Sequence, residues 1–374
     1  DGPQPGRLAQ WFDTRAPRLM VLPAVLILLA FSIFPLITSA YLAMSKFSPV
    51  PGGYSLRFVG FRNFKKLLFG SEQYRFLGTF AWPTVFEWMI FAVVVGGVVY
   101  GLWRYLRGGG AGVVGFSGRL FSSIVVVALT ALVLLVIGKP GFPGSLVVTL
   151  FFVFVGVALQ FVLGLGLALI CSQAIVARNF FRVVFFVPLM VTPVGVAYAF
   201  RMLADMGKGP FAPIWQLFGL AEFSWATNPW SARLVILLGD TWQWTPFMFL
   251  VLLAAVENCS RDHVEAARID GAGPWQIFRD ITWPTIAPVA ATVVLIRLIE
   301  AFKIIDLPNV LTNGGPGIAT ESLTLYAFIS WRTQNLGGSA AIGYMLLFVA
   351  VVVCVTFFNL VAQRSRKHER EVTA

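Results

Sequence analysis

Long apolar windows recur along this chain, at about Leu19 to Ala43, Trp82 to Tyr105, Leu120 to Ile137, Leu146 to Cys171, Arg182 to Leu203, Ala232 to Val256, Pro284 to Lys303 and Ala341 to Ala362. Each is near the ~20 residues an α-helix needs to cross a hydrocarbon layer. Lipid offers no hydrogen bonds to a backbone, so only helices and closed barrels can span it, and these windows lack the period-two alternation of a barrel. The composition, 58% hydrophobic, exceeds what a water-soluble core could hide. The expected fold is therefore all-α, a polytopic membrane protein of about eight transmembrane helices. The first run is too long for the ~7 to 15 apolar residues of a signal peptide and reads as a retained anchor.

A formal net charge of +11 raises the question of nucleic acid, but the basic residues follow the loops of one side instead. With the N-terminus inside, that side collects Arg7, Arg15 and Arg18, then Arg104, Arg107 and Arg119, then Arg178 and Arg182, then Arg261, Arg268 and Arg279, and finally Arg364, Arg366, Lys367 and Arg370. Both termini are then cytoplasmic. The segment from Lys46 to Arg75 dissents, being basic on the outer side. Its stretch FVGFRNFKKLLFG reads as an amphipathic helix lying on the surface, with Phe61, Phe64, Leu67 and Leu68 on one face.

Metal and nucleotide chemistry find little support. Cys171, Cys259 and Cys354 are far apart and read as packing residues, and His263 and His368 are the only histidines. No GxxxxGK[ST] phosphate loop is present.

The stretch EAARIDGAGPWQIFRDITWP, Glu265 to Pro284, is polar between greasy neighbours, and the topology makes 257–283 a cytoplasmic loop. Asp262 and Glu265 have the spacing of a capping box for a short helix that Gly271 ends. Pro274 suits the first turn of a second short helix, with Trp275 and Phe278 on one face, and Pro284 marks re-entry into the membrane. The paired alanines let another protein approach closely; the alternative is a surface helix that merely joins two spans. The run Glu265, Ala266, Ala267, Gly271, Ile281 and Pro284 closely resembles the EAA signature of permease subunits of binding-protein-dependent ABC importers, with Trp283 in place of the usual leucine. FVGFRNFKKLL and LTNGGPGIATESLTLY are similar to segments of the carbohydrate-importing branch, of the maltose and glycerol-phosphate type; the Asn313 to Gly317 stretch also reads simply as a sharp turn.

The resemblance implies a type I importer permease whose core of six helices carries an additional helix pair. It divides the chain into a cytoplasmic segment 1–18, a first span 19–43, an external amphipathic segment 44–81, an inserted two-helix hairpin 82–145, a core 146–363 containing the coupling loop, and a tail 364–374. It assigns contact with an ATPase to Glu265, Ala266, Ala267, Asp270, Gly271 and Ala272. It implies a second homologous permease subunit, two ATP-binding subunits, an extracytoplasmic solute-binding protein and a bacterial or archaeal cytoplasmic membrane. ATP and Mg would be bound by the partners, with no cofactor on this chain. Gly97 and Gly101 form a GxxxG pair that reads either as a packing face or as glycines tolerated in lipid.

Polar groups at membrane depth are expensive and often functional. Asp240, Gln243, Trp244 and Phe247, facing Arg297, Glu300 and Lys303, combine hydrogen-bonding groups with aromatic faces, as a pyranose requires. By resemblance, the substrate path includes Gln243, Trp244, Phe247, Arg297, Glu300 and Ala301. An internal Arg297–Glu300 ion pair at i,i+3 would equally account for those two. Pro188, Pro193 and Pro246 are expected to kink helices beside the path. The competing reading is a self-contained ion-coupled transporter, which would show inverted repeats and discontinuous helices. A membrane-embedded enzyme lacks a convergent catalytic set.

Overall fold

A computed structural model describes residues 20–107, 113–137, 141–173, 178–219 and 227–372, with side chains described up to Asn359 in the last helix. The basic residues of 1–18 and the side chains of Arg178, Arg364, Arg366, Lys367 and Arg370 lie outside the described set. In chain order the elements are α1 (Met20–Ala43), β1 (Ser45–Val50), β2 (Gly53–Phe58), α2 (Arg62–Phe69), α3 (Gln73–Phe76), α4 (Val85–Arg107), α5 (Val113–Val136) and α6 (Ser145–Cys171). Then follow α7 (Arg178–Met190), α8 (Pro193–Ala204), α9 (Ala212–Leu217), α10 (Pro229–Glu257), α11 (Arg261–Ile269), α12 (Pro274–Ala301), α13 (Leu323–Arg332) and α14 (Leu336–Val372). Among the described residues, seven helices are long and apolar enough to span a bilayer, and an eighth crossing is made if α7 and α8 count as one.

Four local expectations are corrected. The span expected over Arg182 to Leu203 is broken: α7 and α8 meet at 98°, with Pro188 inside α7 and Pro193 opening α8. A proline removes one ladder donor and clashes with the carbonyl four residues back, so two prolines five residues apart leave little to hold the helix straight. Pro246, by contrast, is carried inside a continuous α10. Second, the segment after α1 starts with an antiparallel hairpin, in which Val50 pairs Gly53 across a Pro51–Gly52 turn. Third, α2 does not simply lie on a surface: Leu67 is buried and Phe64 and Leu68 pack on the core, while Phe61 points away, 63% exposed. Fourth, the second short helix of the polar loop is the beginning of α12, which runs unbroken past Pro284. A π turn, Phe278–Thr282, contains Asp280, whose carbonyl Pro284 would otherwise crowd; the π turn Leu29–Ile33 in α1 likewise contains Phe31, four residues before Pro35.

The core is formed where α6, α10, α12 and α14 pack together, with α13 and α1 against α14. The pair α4 and α5 is peripheral: in neither helix is more than a small part of the apolar window buried. A Cβ added at Gly97 or Gly101 would meet nothing within 4 Å among the described residues.

The loops at one end are locked by a buried ionic knot. Arg75, in the last turn of α3, donates through Nε and a terminal nitrogen to both oxygens of Glu321, at 2.9 and 2.7 Å, and Ser145 at the start of α6 donates to the same carboxylate at 2.8 Å. The guanidinium lies 4.2 Å from the centre of the Tyr326 ring, and the Tyr326 hydroxyl donates to Glu72 at 2.7 Å. Burial and this bond to Glu72 both push the phenol well above its ordinary pKa, so it stays a donor. Glu321 is only 2% exposed, and a two-point guanidinium–carboxylate contact is among the stronger ways to satisfy such a charge. The knot thus joins the segment after α1, the head of α6 and the Leu311 to Tyr326 stretch, whose Arg233 staple (Nε to the Ala319 carbonyl, 2.9 Å) adds α10.

Helices α6 and α10 make the most extensive contact, and Gly164 sets its distance: a Cβ there would sit 2.6 Å from the Met248 Cβ and 3.0 Å from the Phe249 nitrogen. Gly164→Ala is expected to lower stability in detergent by about 1 to 3 kcal/mol, the usual penalty for overpacking. Gly166→Ala, whose added carbon meets nothing within 4 Å, serves as the control in the same thermal melts.

Candidate functional site

The break between α7 and α8 frees backbone groups that a continuous helix would satisfy, and the site is built around that vacancy. The Val191 carbonyl accepts from Gln243 Nε2 at 3.1 Å, and the Thr192 hydroxyl caps α8 by accepting from the Gly195 amide. Because a carbonyl can only accept, the amide of Gln243 must turn its nitrogen to Val191. Its Oε1 is then left buried with no hydrogen-bond partner among the described residues.

Beside it, three helices are pinned by one closed ring of polar bonds. Arg297 of α12 donates through Nε to Gln160 Oε1 of α6 at 2.8 Å and through a terminal nitrogen to Asp240 Oδ2 of α10 at 2.6 Å. Gln160 Nε2 completes the ring by donating to Asp240 Oδ2 at 2.8 Å. Arg297 is 1% exposed and its guanidinium carbon lies 4.6 Å from the Trp244 ring centre, while Phe247 meets that indole edge-on at 6.2 Å. Glu300 pairs with Lys303 at 2.6 Å. The i,i+3 pair between Arg297 and Glu300 is thus not made: each has found another partner.

These groups surround a partly open cavity of about 240 Å³ between α10, α12, the head of α8 and the turn after α12. Gln243, Trp244, Arg297 and Glu300 line it; Phe247 backs Trp244, and Ala301 is packed in the core instead. Sequence reasoning passed over Gln160 and Asp306. Gln160 had a signal, as a lone amide within the apolar run of α6. Asp306 had none, because its place on the cavity depends on the chain turning back after Ala301.

The polar elbow lies at the other end of α10 and α12. α11 starts at Arg261, one residue before the proposed cap, so the Asp262–Glu265 capping box is not formed and Ser260 occupies the cap position without a side-chain bond. The helix ends in a Schellman arrangement: the Ala272 amide bonds the Ala267 carbonyl at 2.9 Å, the Gly271 amide bonds the Arg268 carbonyl at 3.1 Å, and Gly271 takes φ +82°. Open space surrounds Gly271, so glycine is required there by backbone conformation rather than by room. Glu265, Ala266 and Asp270 are exposed, Ala267 and Ala272 half-buried. Ile269 and Trp275 stand out at 86% and 69% exposure, the latter stacked on Phe278 at 5.5 Å. A short helix that presents bare apolar side chains beside small residues is shaped to be covered.

Removing one member of a buried ion pair strands the other. Arg297→Met is expected to lower stability by about 3 to 5 kcal/mol, and adding Asp240→Leu to recover much of that loss, since two apolar groups leave no buried charge. Thermal melts of the two single variants and the double variant in detergent measure the cycle.

Comparison with known proteins places these features. The family described as binding-protein-dependent transport system inner membrane component matches residues 119–368. The trehalose/maltose transport system permease protein MalF of Thermococcus litoralis is 36% identical over 208 residues, 56% of this chain and 70% of that protein. The trehalose transport system permease protein SugA of Mycobacterium tuberculosis is 27% identical over 220 residues, 58% of this chain and 69% of that protein. In fold, the chain is similar to one from the crystal structure of a bacterial ABC transporter that imports the acidic polysaccharide alginate, with a TM-score of 0.66 at 18% identity, covering 96% of this chain and 99% of that one. With the family match spanning most of the chain, from within α5 to α14, the chain belongs to the binding-protein-dependent transport system inner membrane components and is a membrane-spanning permease subunit of an ABC importer.

Proposed function

We propose that this permease moves a sugar-class solute by alternating access through the cavity between α10 and α12, driven by separate ATP-binding subunits seated on the elbow around α11. The observation that carries the solute reading is the buried, unpartnered Gln243 Oε1 in a cavity also lined by the Trp244 indole. A pyranose offers hydroxyl donors at its rim and C–H faces for an aromatic ring, and this wall has a place for each. The relatives named for trehalose and maltose transport agree with that chemistry. Gln243, Trp244, Arg297 and Glu300 would face the solute, with Phe247 and Ala301 supporting them from behind.

The elbow reading rests on its exposure and its mechanical setting. Glu265, Ala266, Ala267, Asp270, Gly271 and Ala272 form a short rigid unit, and α12 runs from it directly to the cavity. Closure of an ATPase pair against α11 would then tilt α12 and bias the cavity between its two openings. In this reading ATP and Mg belong to the partners, a second permease subunit supplies the facing half of the path, and a solute-binding protein delivers from outside. The elbow and both termini are cytoplasmic, in a bacterial or archaeal cytoplasmic membrane. The break between α7 and α8 is the discontinuous helix that an ion-coupled carrier would also use, but membership of the importer family argues against that alternative.

Gly271→Pro forbids the positive φ that ends α11. In the complex purified with its ATPase, stimulation of hydrolysis by a solute-loaded binding protein is expected to fall by about tenfold, the scale of an ordinary coupling free energy, with the chain still inserted. Unchanged stimulation rejects the coupling assignment.

A further inference from the structure

Both cations around the cavity are already paired with carboxylates of this chain. Arg297 is committed to Asp240 and Gln160 inside the three-helix ring, and Lys303 is paired with Glu300 at 2.6 Å. That leaves a third carboxylate, Asp306, half-buried on the cavity wall and paired with no cation among the described residues. The second unspent group is Gln243 Oε1, also an acceptor. The wall therefore carries more negative charge than positive, and its two unspent acceptors are Asp306 and Gln243 Oε1. A hydroxyl-bearing neutral solute can donate to both; a carboxylate or phosphate meets an unpaired negative charge and no unspent donor cation.

Building on the sugar reading above, we infer that this wall is a charge filter that passes uncharged, hydroxyl-rich solutes and rejects anionic ones, and that Asp306 is the residue that sets it. The two basic residues visible in the sequence, Arg297 and Lys303, do not make an anion site, because each is neutralised by a carboxylate of this chain. Asp306 acts directly, by its charge at the wall.

The test uses the intact complex of permeases and ATP-binding subunits in detergent, without a binding protein, so that selection by that partner does not mask the wall. Maltose and trehalose are titrated calorimetrically, each against an analogue of the same size in which one hydroxymethyl group is oxidised to a carboxylate. The neutral sugars are expected to bind, with the anionic analogues weaker by about tenfold or more, which is the fold-change of a 1.4 kcal/mol penalty. Asp306→Asn is expected to narrow that gap by strengthening the anionic analogues, with co-elution of the variant and its ATP-binding subunits in size-exclusion chromatography showing that it is folded. Anionic analogues binding as well as the neutral sugars overturn the filter and leave the sugar reading standing. A gap unchanged in Asp306→Asn overturns the role of Asp306. If an intact complex binds neither member of either pair, the sugar reading falls and the filter falls with it.

Discussion

The constraint on which this structure depends is that a polar group at membrane depth must find its partner inside the protein. The ring of Arg297, Asp240 and Gln160 meets it by drawing one side chain from each of three helices, so that satisfying the buried charge and fixing the relative positions of α6, α10 and α12 are the same event. A buried pair of this kind adds little net stability compared with apolar packing. What it supplies is uniqueness of arrangement: sliding α10 or α12 past the other by a turn would leave a charge unpaired, and sliding α6 would strand the Gln160 amide. The broken helix obeys the same constraint, its loose Val191 carbonyl taken up by Gln243.

The two ends of the molecule meet different demands. At the loop end, the knot of Arg75, Glu321, Ser145, Tyr326 and Glu72 draws together parts of the chain far apart in sequence, so the loops form a fixed surface rather than independent connections. At the elbow end, α11 is held mainly by its own backbone and by the chain on either side, with apolar side chains left bare. A rigid face at one end and an uncovered grip at the other suit a subunit that receives solute at one surface and, in the proposed reading, force at the other.

Much of this was legible in the sequence because its causes are local. Window length and hydropathy marked the spans, and the fixed spacing of Glu265, Ala266, Ala267, Gly271 and Pro284 marked the family. Other features depended on competition that sequence alone does not arbitrate. Arg297 and Glu300 stand at the right spacing to pair, yet Asp240 reaches Arg297 from another helix and Lys303 reaches Glu300 from the next turn. Pro188, Pro193 and Pro246 are all prolines in apolar runs; only the closely spaced two coincide with a break, while Pro246 sits buried inside a continuous α10. The hairpin after α1 left little mark, because its strands are six residues each, Pro49 interrupts the first and the second is exposed on both faces.

The π turn Phe278–Thr282 has a geometric corollary for α12. It holds one residue more than an ordinary helical turn, and a single residue advances a helix by about 100°. Everything beyond Thr282 is therefore dialled around the axis relative to Trp275, and the azimuth at which Arg297 meets Asp240 is set by that surplus residue. A chain shorter by one there would keep its spans, its elbow and its hydropathy profile, yet aim the guanidinium at a different neighbour.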